Sequence, residues 1–560
     1  MSQTTAKLPT KTPQQVREAL LARHEIALLD VREEHVHAQA HPLFAAHFNY
    51  ARIELDAWTR LPRRDVPIVV MDDGDGGDGV EGLAEAAARR LIALGYTDVA
   101  LLEGGLAGWR DAGGELFRDV NVPSKSFGEL VEERRHTPSL AAEEVQALID
   151  AKADVVIVDA RRYDEYQTMS IPGGVSVPGA ELVLRIRELA PRPETRVIVN
   201  CAGRTRSIIG TQSLVNAGIP NQVAALRNGT IGWLLAGQKL EHGQRRSFRD
   251  GHRSHPEHDP QVQAQAARDA RSVADRAGVR RTDPATLAIW QAQRGRTLYL
   301  FDVRGPDEYR HAHLPGSVSA PGGQLVQETE MFAPVRGARI VLVDSDGARA
   351  NMTASWLAQM DWEVYVLDGA SSAHFSERGE RVLPRPAPPA ITTVPPATLA
   401  DWLASPDAPP VLDFAPSRDY VAQHVPGAHF VLRSQLRQAL AQIVAAHGGG
   451  PIRRIVLTSP DDLMARYAAA ELQTLIEAAG HTQLSDTQLF ILGGGTQAWV
   501  AAKLPLEHGE TRLASPRIDR YRRPYEGTDA PREAMQGYLD WEFGLVEQLG
   551  RDGTHHFRVL

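Results

Sequence analysis

The chain has 560 residues, a formal net charge of −9 at pH 7, and 43% hydrophobic and 23% charged residues. A chain of this length is too long for one hydrophobic core and predicts about three to five domains. The acidic balance argues against a general nucleic-acid binder, and no apolar run approaches the roughly 18 residues that predict a membrane span.

The chain contains a single cysteine, Cys201, so no disulfide can form within it. This cysteine usage suits a reducing compartment, and the N-terminal segment lacks the apolar core of a signal peptide. We therefore expect a cytoplasmic protein that associates with neither membrane nor nucleic acid.

A fourfold internal repeat organises the chain. In the first three copies an aspartate ends an apolar run, and a second apolar run ends 42 residues later. The paired positions are Asp30 with Asp72, Asp159 with Cys201, and Asp302 with Asp344. A looser fourth copy pairs Asp413 with Ser459 at a spacing of 46. Equal spacings of this kind indicate repeated units of ordinary domain size.

Strands alternating with helical stretches predict an α/β fold in each copy, a parallel sheet with helices on both faces. Three copies close with a glycine turn followed by a tryptophan, Trp109, Trp233 or Trp499, which we interpret as an anchor between helix and sheet. The predicted units are four tandem domains at 8–125, 126–245, 275–385 and 386–510, a linker at 246–274 and a C-terminal helical tail at 511–560.

In the first copy, the second apolar run is followed by the acidic segment D-D-G-D-G-G-D. This segment would repel an anion. It offers oxygen ligands at Asp72, Asp73, Asp75 and Asp78, but it lacks the spacing and the terminal glutamate of a calcium loop. We therefore predict neither a metal site nor catalysis in this copy.

In the second copy, Cys201 follows the apolar run V-I-V-N, and apolar residues recur at helical spacing after Ser207. This pattern predicts a cysteine at the carboxyl end of a strand, on a loop that opens a helix, where α/β sheets bind ligands. Arg204 and Arg206 add positive charge, which favours a thiolate over a thiol. Backbone N–H groups can also converge there on an anion, namely those of Ala202, Gly203, Thr205 and Arg206.

The segment C-A-G-R-T-R-S, from Cys201 to Ser207, resembles the active-site loop of rhodanese-type sulfurtransferases. The spacing from Cys201 to Arg206 fits the six-residue loop of the sulfur-handling members, whereas the related phosphatases use a loop one residue longer. The four copies extend this resemblance over most of the chain, as in multi-domain bacterial thiosulfate sulfurtransferases, and imply four tandem rhodanese-like domains.

The resemblance implies a double displacement at Cys201. Its thiolate would take a sulfane sulfur from a small anionic donor such as thiosulfate, and the persulfide would pass that sulfur to cyanide or a thiol. No cofactor and no metal is implied. The residues expected to bind the donor or stabilise the sulfur anion are Ala202, Gly203, Arg204, Thr205, Arg206, Ser207, Asp159 and Arg161. The last two recur in copies without the cysteine, so we expect them to serve fold integrity first.

Two linkers are indicated. The stretch 238–281 is polar and charged, and we expect it to be partly helical. It carries His252, His255 and His258, but no further ligand cluster supports a metal, so a solvated linker is favoured. The second linker, at 384–396, is proline-rich and semi-rigid.

The third and fourth copies carry Asp344 and Ser459 at the cysteine position. A carboxylate cannot accept a sulfane sulfur, although the third copy retains Arg349 where the second has Arg206. Ser459 has no evident activating base. We predict that these copies, like the first, are inactive and act as structural or regulatory partners.

The tail contains a helix-like stretch rich in aromatic residues, which should pack against another surface. Two alternative functions remain open. One is a scaffold that carries persulfides or senses sulfur without efficient turnover. The other is a phosphatase-like hydrolase, which the loop length and the lack of an obvious general acid disfavour. A homo-oligomer is compatible with the sequence.

Overall fold

A computed structural model describes residues 7–74, 82–248, 259–448, 450–479, 483–527 and 529–560. The histidine hypothesis for the first linker, on His252, His255 and His258, lies outside these residues. So do Asp75 and Asp78 of the acidic segment in the first copy.

Four β-sheets run through the chain, one for each predicted repeat. The first holds β1 (Thr10–Lys11), β2 (Ile26–Asp30), β3 (Ala46–His47), β4 (Ile68–Met71) and β5 (Val99–Leu102). The second holds β6 (Ser139–Leu140), β7 (Val155–Asp159), β8 (Val175–Ser176), β9 (Arg196–Asn200) and β10 (Val223–Leu226). The third repeat contributes β11 (Arg280–Thr282), β12 (Leu298–Asp302), β13 (Val318–Ser319), β14 (Val335–Arg336), β15 (Arg339–Val343) and β16 (Glu363–Leu367). The fourth holds β17 (Thr393–Val394), β18 (Val411–Asp413), β19 (Ala428–Phe430), β20 (Arg454–Thr458) and β21 (Gln488–Leu492).

Helices connect the strands of each repeat. Those of the first are α1 (Pro13–Leu21), α2 (Glu34–His37), α3 (Ile53–Arg60), α4 (Leu83–Ala93) and α5 (Gly105–Asp111), and α6 (Val122–Arg135) leads into the second. The second has α7 (Ala142–Asp150), α8 (Tyr163–Thr168), α9 (Leu182–Leu189), α10 (Thr205–Asn216) and α11 (Gly229–Leu235), and α12 (Pro260–Arg276) follows. The third has α13 (Pro284–Ala292), α14 (Pro306–His311), α15 (Gly322–Gln327), α16 (Thr329–Phe332) and α17 (Arg349–Gln359). The fourth has α18 (Pro396–Leu403), α19 (Ser417–Ala422), α20 (Leu436–Ala446), α21 (Leu463–Ala479) and α22 (Gly495–Ala501), and the tail has α23 (Arg532–Phe543) and α24 (Leu545–Asp552).

The central strands are buried along almost their whole length, as in β2, β4 and β9. Continuous rather than alternating burial means that helices cover both faces of the sheet. The predicted α/β fold with four tandem domains is therefore confirmed. None of the described helices combines the length and the apolarity needed to cross a bilayer.

With β14 left aside, the strands of every repeat follow the same order, 1-5-4-2-3 when counted within the repeat. In the second repeat this order places β7 beside β9, with Asp159 opposite Asn200. The chain crosses to opposite sides from these two strands, so a crevice opens at their carboxyl ends, the usual ligand position in such sheets. Cys201 is the next residue after β9.

The three tryptophans are anchors, as predicted. Each is at most 2% exposed. Their indole N–H groups donate to backbone carbonyls 3.1, 2.9 and 2.7 Å away, those of Glu115, Lys239 and Pro505. Each ring therefore fixes the short helix that closes its repeat, α5, α11 or α22.

The repeats are joined by more than their linkers. β14 of the third repeat adds an antiparallel sixth strand to the first sheet, with Val335 opposite Ala27. The expectation of a partly helical first linker is confirmed by α12, whose buried face packs between α9 and α17. This part of the predicted linker is thus wedged between the second and third repeats rather than solvated.

Candidate active site

Cys201 lies where the sequence predicts it, immediately after strand β9. Helix α10 begins at Thr205, earlier than expected, so Thr205, Arg206 and Ser207 form its first turn rather than loop. The loop proper is therefore only Cys201 to Arg204. Its short length brings the unpaired N–H groups of the helix start close to the sulfur.

Two carbonyl groups of the loop are tied to helix α11. The N–H of Thr230 donates to the Cys201 oxygen at 2.9 Å, and that of Ile231 donates to the Ala202 oxygen at 3.1 Å. In a trans peptide the following N–H points the opposite way. The N–H groups of Ala202 and Gly203 therefore point away from α11, an arrangement that could bind an anion together with the start of α10.

The thiol of Cys201 is enclosed, with 1% of the residue exposed. Its Sγ lies 3.4 Å from Oγ of Ser207, which in turn donates to the Arg204 carbonyl at 2.9 Å. Burial raises the pKa of the thiol, and Arg206 and Ser207 only partly oppose this. Arg206 therefore favours the thiolate as expected, but burial opposes it, and the sequence does not reveal this desolvation.

The two arginines of the loop have different surroundings. Arg206 donates to both carboxylate oxygens of Glu165, at 2.6 and 3.2 Å, and its charge acts on Cys201. Although burial opposes the effect, Arg206 lowers the pKa of Glu165 to about 2. Arg204 instead donates twice to Glu129 of α6, at 2.8 Å each, and once to Asn228 at 3.1 Å. The structure thus directs the charge of Arg206 toward the sulfur and engages Arg204 with α6.

Asp159 and Arg161 form a buried pair behind the loop. Nε and Nη2 of Arg161 donate to the Asp159 carboxylate at 2.9 and 2.8 Å, and Nη2 also reaches the Met169 carbonyl at 2.5 Å. Asn200, which directly precedes Cys201, donates to the same carboxylate at 2.9 Å. The pair therefore braces the strand end that carries the cysteine. Equivalent pairs occur in two other repeats, Arg32 with Asp30 and Arg304 with Asp302.

In the other repeats, the side chain at the cysteine position caps its own helix. The carboxylate of Asp344 accepts from the N–H groups of Gly347 and Ala350 at 3.0 and 2.8 Å. Oxygens of Asp72 and Ser459 accept in the same way, from Gly74 and Ala84 at 3.0 and 2.9 Å and from Ala465 at 3.1 Å. The donors that would hold a substrate anion are already used, which supports the prediction that these repeats are inactive.

The metal hypothesis for the first repeat gains no support from its described part. The Asp72 carboxylate is engaged as a cap, and Asp73 pairs with Arg32 at 2.5 Å. Across the described ranges, no group of three or more histidine, cysteine, aspartate or glutamate side chains could hold a metal ion.

Helix α23 of the tail packs against the loop of Cys201. A Cβ added at Gly203 would lie 3.2 Å from Cε1 of Tyr538 and 3.4 Å from Oε2 of Glu542, both on α23. Ala202 belongs to the same apolar cluster as Met535 and Leu539. Gly203 therefore permits a close approach of the tail helix, a contact that sequence reasoning missed because nothing in the tail marks its partner.

An arginine-rich cavity of about 550 Å³ opens beside Arg206. It is lined by seven arginines and four carboxylates, drawn from the second, third and fourth repeats and from the tail. Residues that the loop pattern did not identify include Arg418, Arg520, Arg522 and Arg523. Sequence comparison of the repeats could have found Glu165, because it precedes Arg206 by the 41 residues that separate Glu308 from Arg349, which form the same pair in the third repeat.

Comparisons with known proteins agree with this geometry. A model of the rhodanese-like domain matches residues 12–112, 141–236, 286–375 and 395–502, more than half of the chain. The chain is similar to the crystal structure of a thiosulfate sulfurtransferase from Pseudomonas aeruginosa, with 65% identity, 99% of this chain and 100% of that chain covered, and a TM-score of 0.92.

A curated relative is similar over a shorter stretch. This helix-turn-helix type transcriptional regulator of Mycobacterium tuberculosis is 30% identical over 90 residues, which are 16% of this chain. The chain spans only 39% of the length of that regulator.

Proposed function

Because the chain belongs to the rhodanese-like domain family, with four such domains in tandem, we propose that it is a thiosulfate:cyanide sulfurtransferase with its working site at Cys201. The observation that carries the assignment to this site is the contrast between the four equivalent loops. Three have a side-chain oxygen that caps the helix, and only the second has a sulfur nucleophile there.

The reaction proceeds in two displacements at one sulfur atom. Sγ of Cys201 attacks the outer sulfur of thiosulfate, the S–S bond of the donor breaks, and sulfite leaves with the bonding electrons. The persulfide anion that remains on Cys201 is stabilised by the N–H groups of Ala202, Gly203, Thr205 and Arg206. Cyanide or a thiolate then attacks the terminal sulfur, and Cys201 leaves as the thiolate.

The arginine-rich cavity supports a small anionic donor. Its lining holds seven arginines, whose guanidinium groups are suited to binding an oxyanion, although carboxylates outside the lining pair with Arg161, Arg522 and Arg523. Arg206 stays charged beside Glu165 and stabilises the negative sulfur.

The lone cysteine also bears on where the protein works. A persulfide carrier with no second cysteine has no thiol within its own chain with which to form a disulfide. Such a site suits a reducing compartment, and we propose the cytoplasm.

The test is the production of thiocyanate from thiosulfate and cyanide by the full chain and by Cys201→Ala. We expect the variant to lose all activity, and intact mass after donor treatment to show a gain of one sulfur on the wild type alone. Ser459→Ala in the fourth repeat is the matched control and should retain the wild-type rate.

Other outcomes would redirect the assignment. Sulfur loading without turnover would favour a persulfide-carrying scaffold. Loading by Cys201→Ala, or no loading of the wild type from any donor, would overturn the proposal and call for a phosphatase assay.

A further inference from the structure

Glu542 of the tail is a buried carboxylate that is only half satisfied. The residue is fully buried near the end of α23. Its Oε1 accepts from the hydroxyl of Tyr538 at 2.8 Å, whereas Oε2 has no hydrogen-bond partner in the described structure. Buried polar atoms are almost always paired, so an unpaired carboxylate oxygen calls for an explanation.

The unpaired oxygen faces the loop of Cys201. Oε2 would lie 3.4 Å from a Cβ at Gly203, two residues from the nucleophile. The charge of Glu542 also acts on the Cys201 thiol and helps to raise its pKa. Glu542 and Cys201 are both buried, and Glu542 lies on the helix that packs against the loop of Cys201.

The cations near Glu542 are occupied by other partners. Lys125 of α6 lies 2.6 Å from the Asp119 carboxylate, and three tail rings, Tyr525, Tyr538 and Trp541, surround it. Arg204 is held by both oxygens of Glu129.

Lys125 and Arg204 lower the pKa of Glu542, but burial and the charge of Glu129 outweigh them. Besides Tyr538 on its own helix and the two cations, the titratable groups that face it are Glu129 and Cys201. Burial, reinforced by Glu129, raises the pKa of Glu542 to about 8. A carboxyl group in this range can both accept and return a proton near neutral pH.

We propose that Glu542 is the proton partner of Cys201, a role that rests on the sulfurtransferase function proposed above. Its Oε2 takes the proton of the Cys201 thiol when sulfur is loaded and returns it when sulfur is transferred. The tail thereby supplies a catalytic group to the second repeat.

The two half-reactions balance. In loading, the Cys201 thiol, thiosulfate dianion and Glu542 carboxylate give the persulfide anion, sulfite dianion and Glu542 carboxylic acid. In unloading, the persulfide anion, cyanide and the acid give the Cys201 thiol, thiocyanate and the carboxylate. The acid form beside the persulfide avoids two neighbouring negative charges in a desolvated pocket.

Glu542→Gln in the full chain tests the proposal, because glutamine keeps the size and accepts from Tyr538 but cannot take the proton. We expect kcat to fall about 100-fold at neutral pH, the usual size of a general-base contribution, with little change in KM for thiosulfate. In the wild type, loading should rise with pH as Glu542 ionises. In the variant that rise should move to the higher pH at which Cys201 ionises unaided.

The opposite result has a distinct signature. If Glu542 acted on Cys201 only through its negative charge and took no proton, then neutralising Glu542 would lower the pKa of the thiol and raise the rate at neutral pH. An equal or faster Glu542→Gln enzyme with the wild-type pH profile would overturn the proposal. Glu547→Gln, at a side chain 84% exposed on α24, is the control and should behave as the wild type.

Tyr538→Phe provides a second test if Glu542→Gln fails to fold. Loss of the hydroxyl that donates to the carboxylate should raise the pKa of Glu542 further and shift the pH dependence of loading upward. An unshifted profile would also overturn the proposal. Failure of this inference is separable from failure of the function: wild type that never gains sulfur refutes the function, whereas equal loading rates of wild type and Glu542→Gln refute only the proton partner.

Discussion

The reactivity of Cys201 depends on influences of opposite sign. Burial raises the pKa of its thiol, whereas Arg206 and Ser207 lower it. The two neighbours lie within six residues of Cys201 and are visible in the sequence. Part of this burial comes from α23, which packs against the loop at Gly203, so only the folded molecule shows the effect of burial on the pKa.

Asp413 shows what the aspartate–arginine pair contributes to a repeat. In the first three repeats an arginine two residues later holds the equivalent carboxylate, but the fourth has Ala415 there. Asp413 is fully buried, accepts one N–H from Ala415 at 2.9 Å, and leaves Oδ2 without a partner in the described structure. Burial raises the pKa of Asp413 to about 7.

Asp413→Asn should therefore stabilise the protein above pH 7. Between an unfolded pKa near 4 and the folded value of about 7, the native state binds more protons than the unfolded state, so stability falls as pH rises through this window. The variant removes this loss, and we expect a gain of about 1–3 kcal/mol at pH 8 and little change at pH 4. Chemical denaturation at the two pH values measures it.

Asp302→Asn is a control for which we expect a change of opposite sign, because the Asp302 carboxylate pairs with buried Arg304 at 2.7 Å. Removing that charge leaves a buried guanidinium unpaired and should destabilise the protein by about 3 kcal/mol at pH 8. Equal effects of the two substitutions would contradict the interpretation of Asp413.

The start of helix α11 holds the loop of Cys201 in place. Gly229 has a φ of +55°, and a Cβ there would lie 2.4 Å from the Cys201 oxygen. The close approach lets Thr230 donate to that oxygen at 2.9 Å. The glycine turn that precedes the tryptophan anchor thus also positions the nucleophile.

Gly229→Ala should displace the loop and lower kcat at least about tenfold, since small misplacements of a nucleophile are costly. Gly237→Ala is a matched control, because Gly237 has a φ of +75° in the same repeat but nothing within 4 Å of an added Cβ. The Gly237→Ala variant should lose about 1 kcal/mol of stability from backbone strain and retain its activity. Equal activity losses in both variants would indicate general strain rather than loop displacement. Thiocyanate production and thermal unfolding distinguish the effects.

The first and fourth repeats meet at a buried ion network. Two nitrogens of Arg433 lie 2.8 Å from the oxygens of Glu54, and its third lies 3.0 Å from Glu471. Arg90 and the hydroxyl of Tyr50 also bind Glu471, at 2.9 and 2.8 Å. Because Arg433 is only 3% exposed, its charge depends on these partners. The network therefore stabilises the contact between the first and the fourth repeat.

Glu54→Gln should destabilise this junction by about 2–4 kcal/mol, because it leaves the buried charge of Arg433 undercompensated. A lower midpoint of denaturant-induced unfolding measures the loss. Arg52→Gln, two residues before Glu54, is the control. It removes a surface ion pair with Asp56, in which the Arg52 side chain is 54% exposed, and should change the free energy of unfolding by less than about 0.5 kcal/mol. A Glu54→Gln variant as stable as this control would show that the network does not hold the repeats together.

Much of each repeat could be predicted, because its signals are local. Apolar runs such as those before Asp159 and Cys201 became buried strands, and the tryptophans after the glycine turns became anchors. The helix boundary at Thr205 was missed by a few residues, since caps and first turns leave little trace in periodicity. Glu129 and Glu542 were missed altogether, because a single charged residue on a helix does not reveal which loop it will face.

The sequence by itself determined the number of repeats, the fold of each and the position of the sole cysteine, because periodicity, spacing and residue type are local signals, and the loop of Cys201 carried the resemblance to the family. Only the tertiary structure decided that α23 seals Cys201, that Arg204 and Arg206 have different partners, and that β14 joins the first sheet. The contacts of α23 and β14 join segments hundreds of residues apart, and Arg204 pairs with Glu129, 75 residues away in another element. Such contacts are selected by burial and charge compensation in the assembled molecule, and no local pattern specifies them.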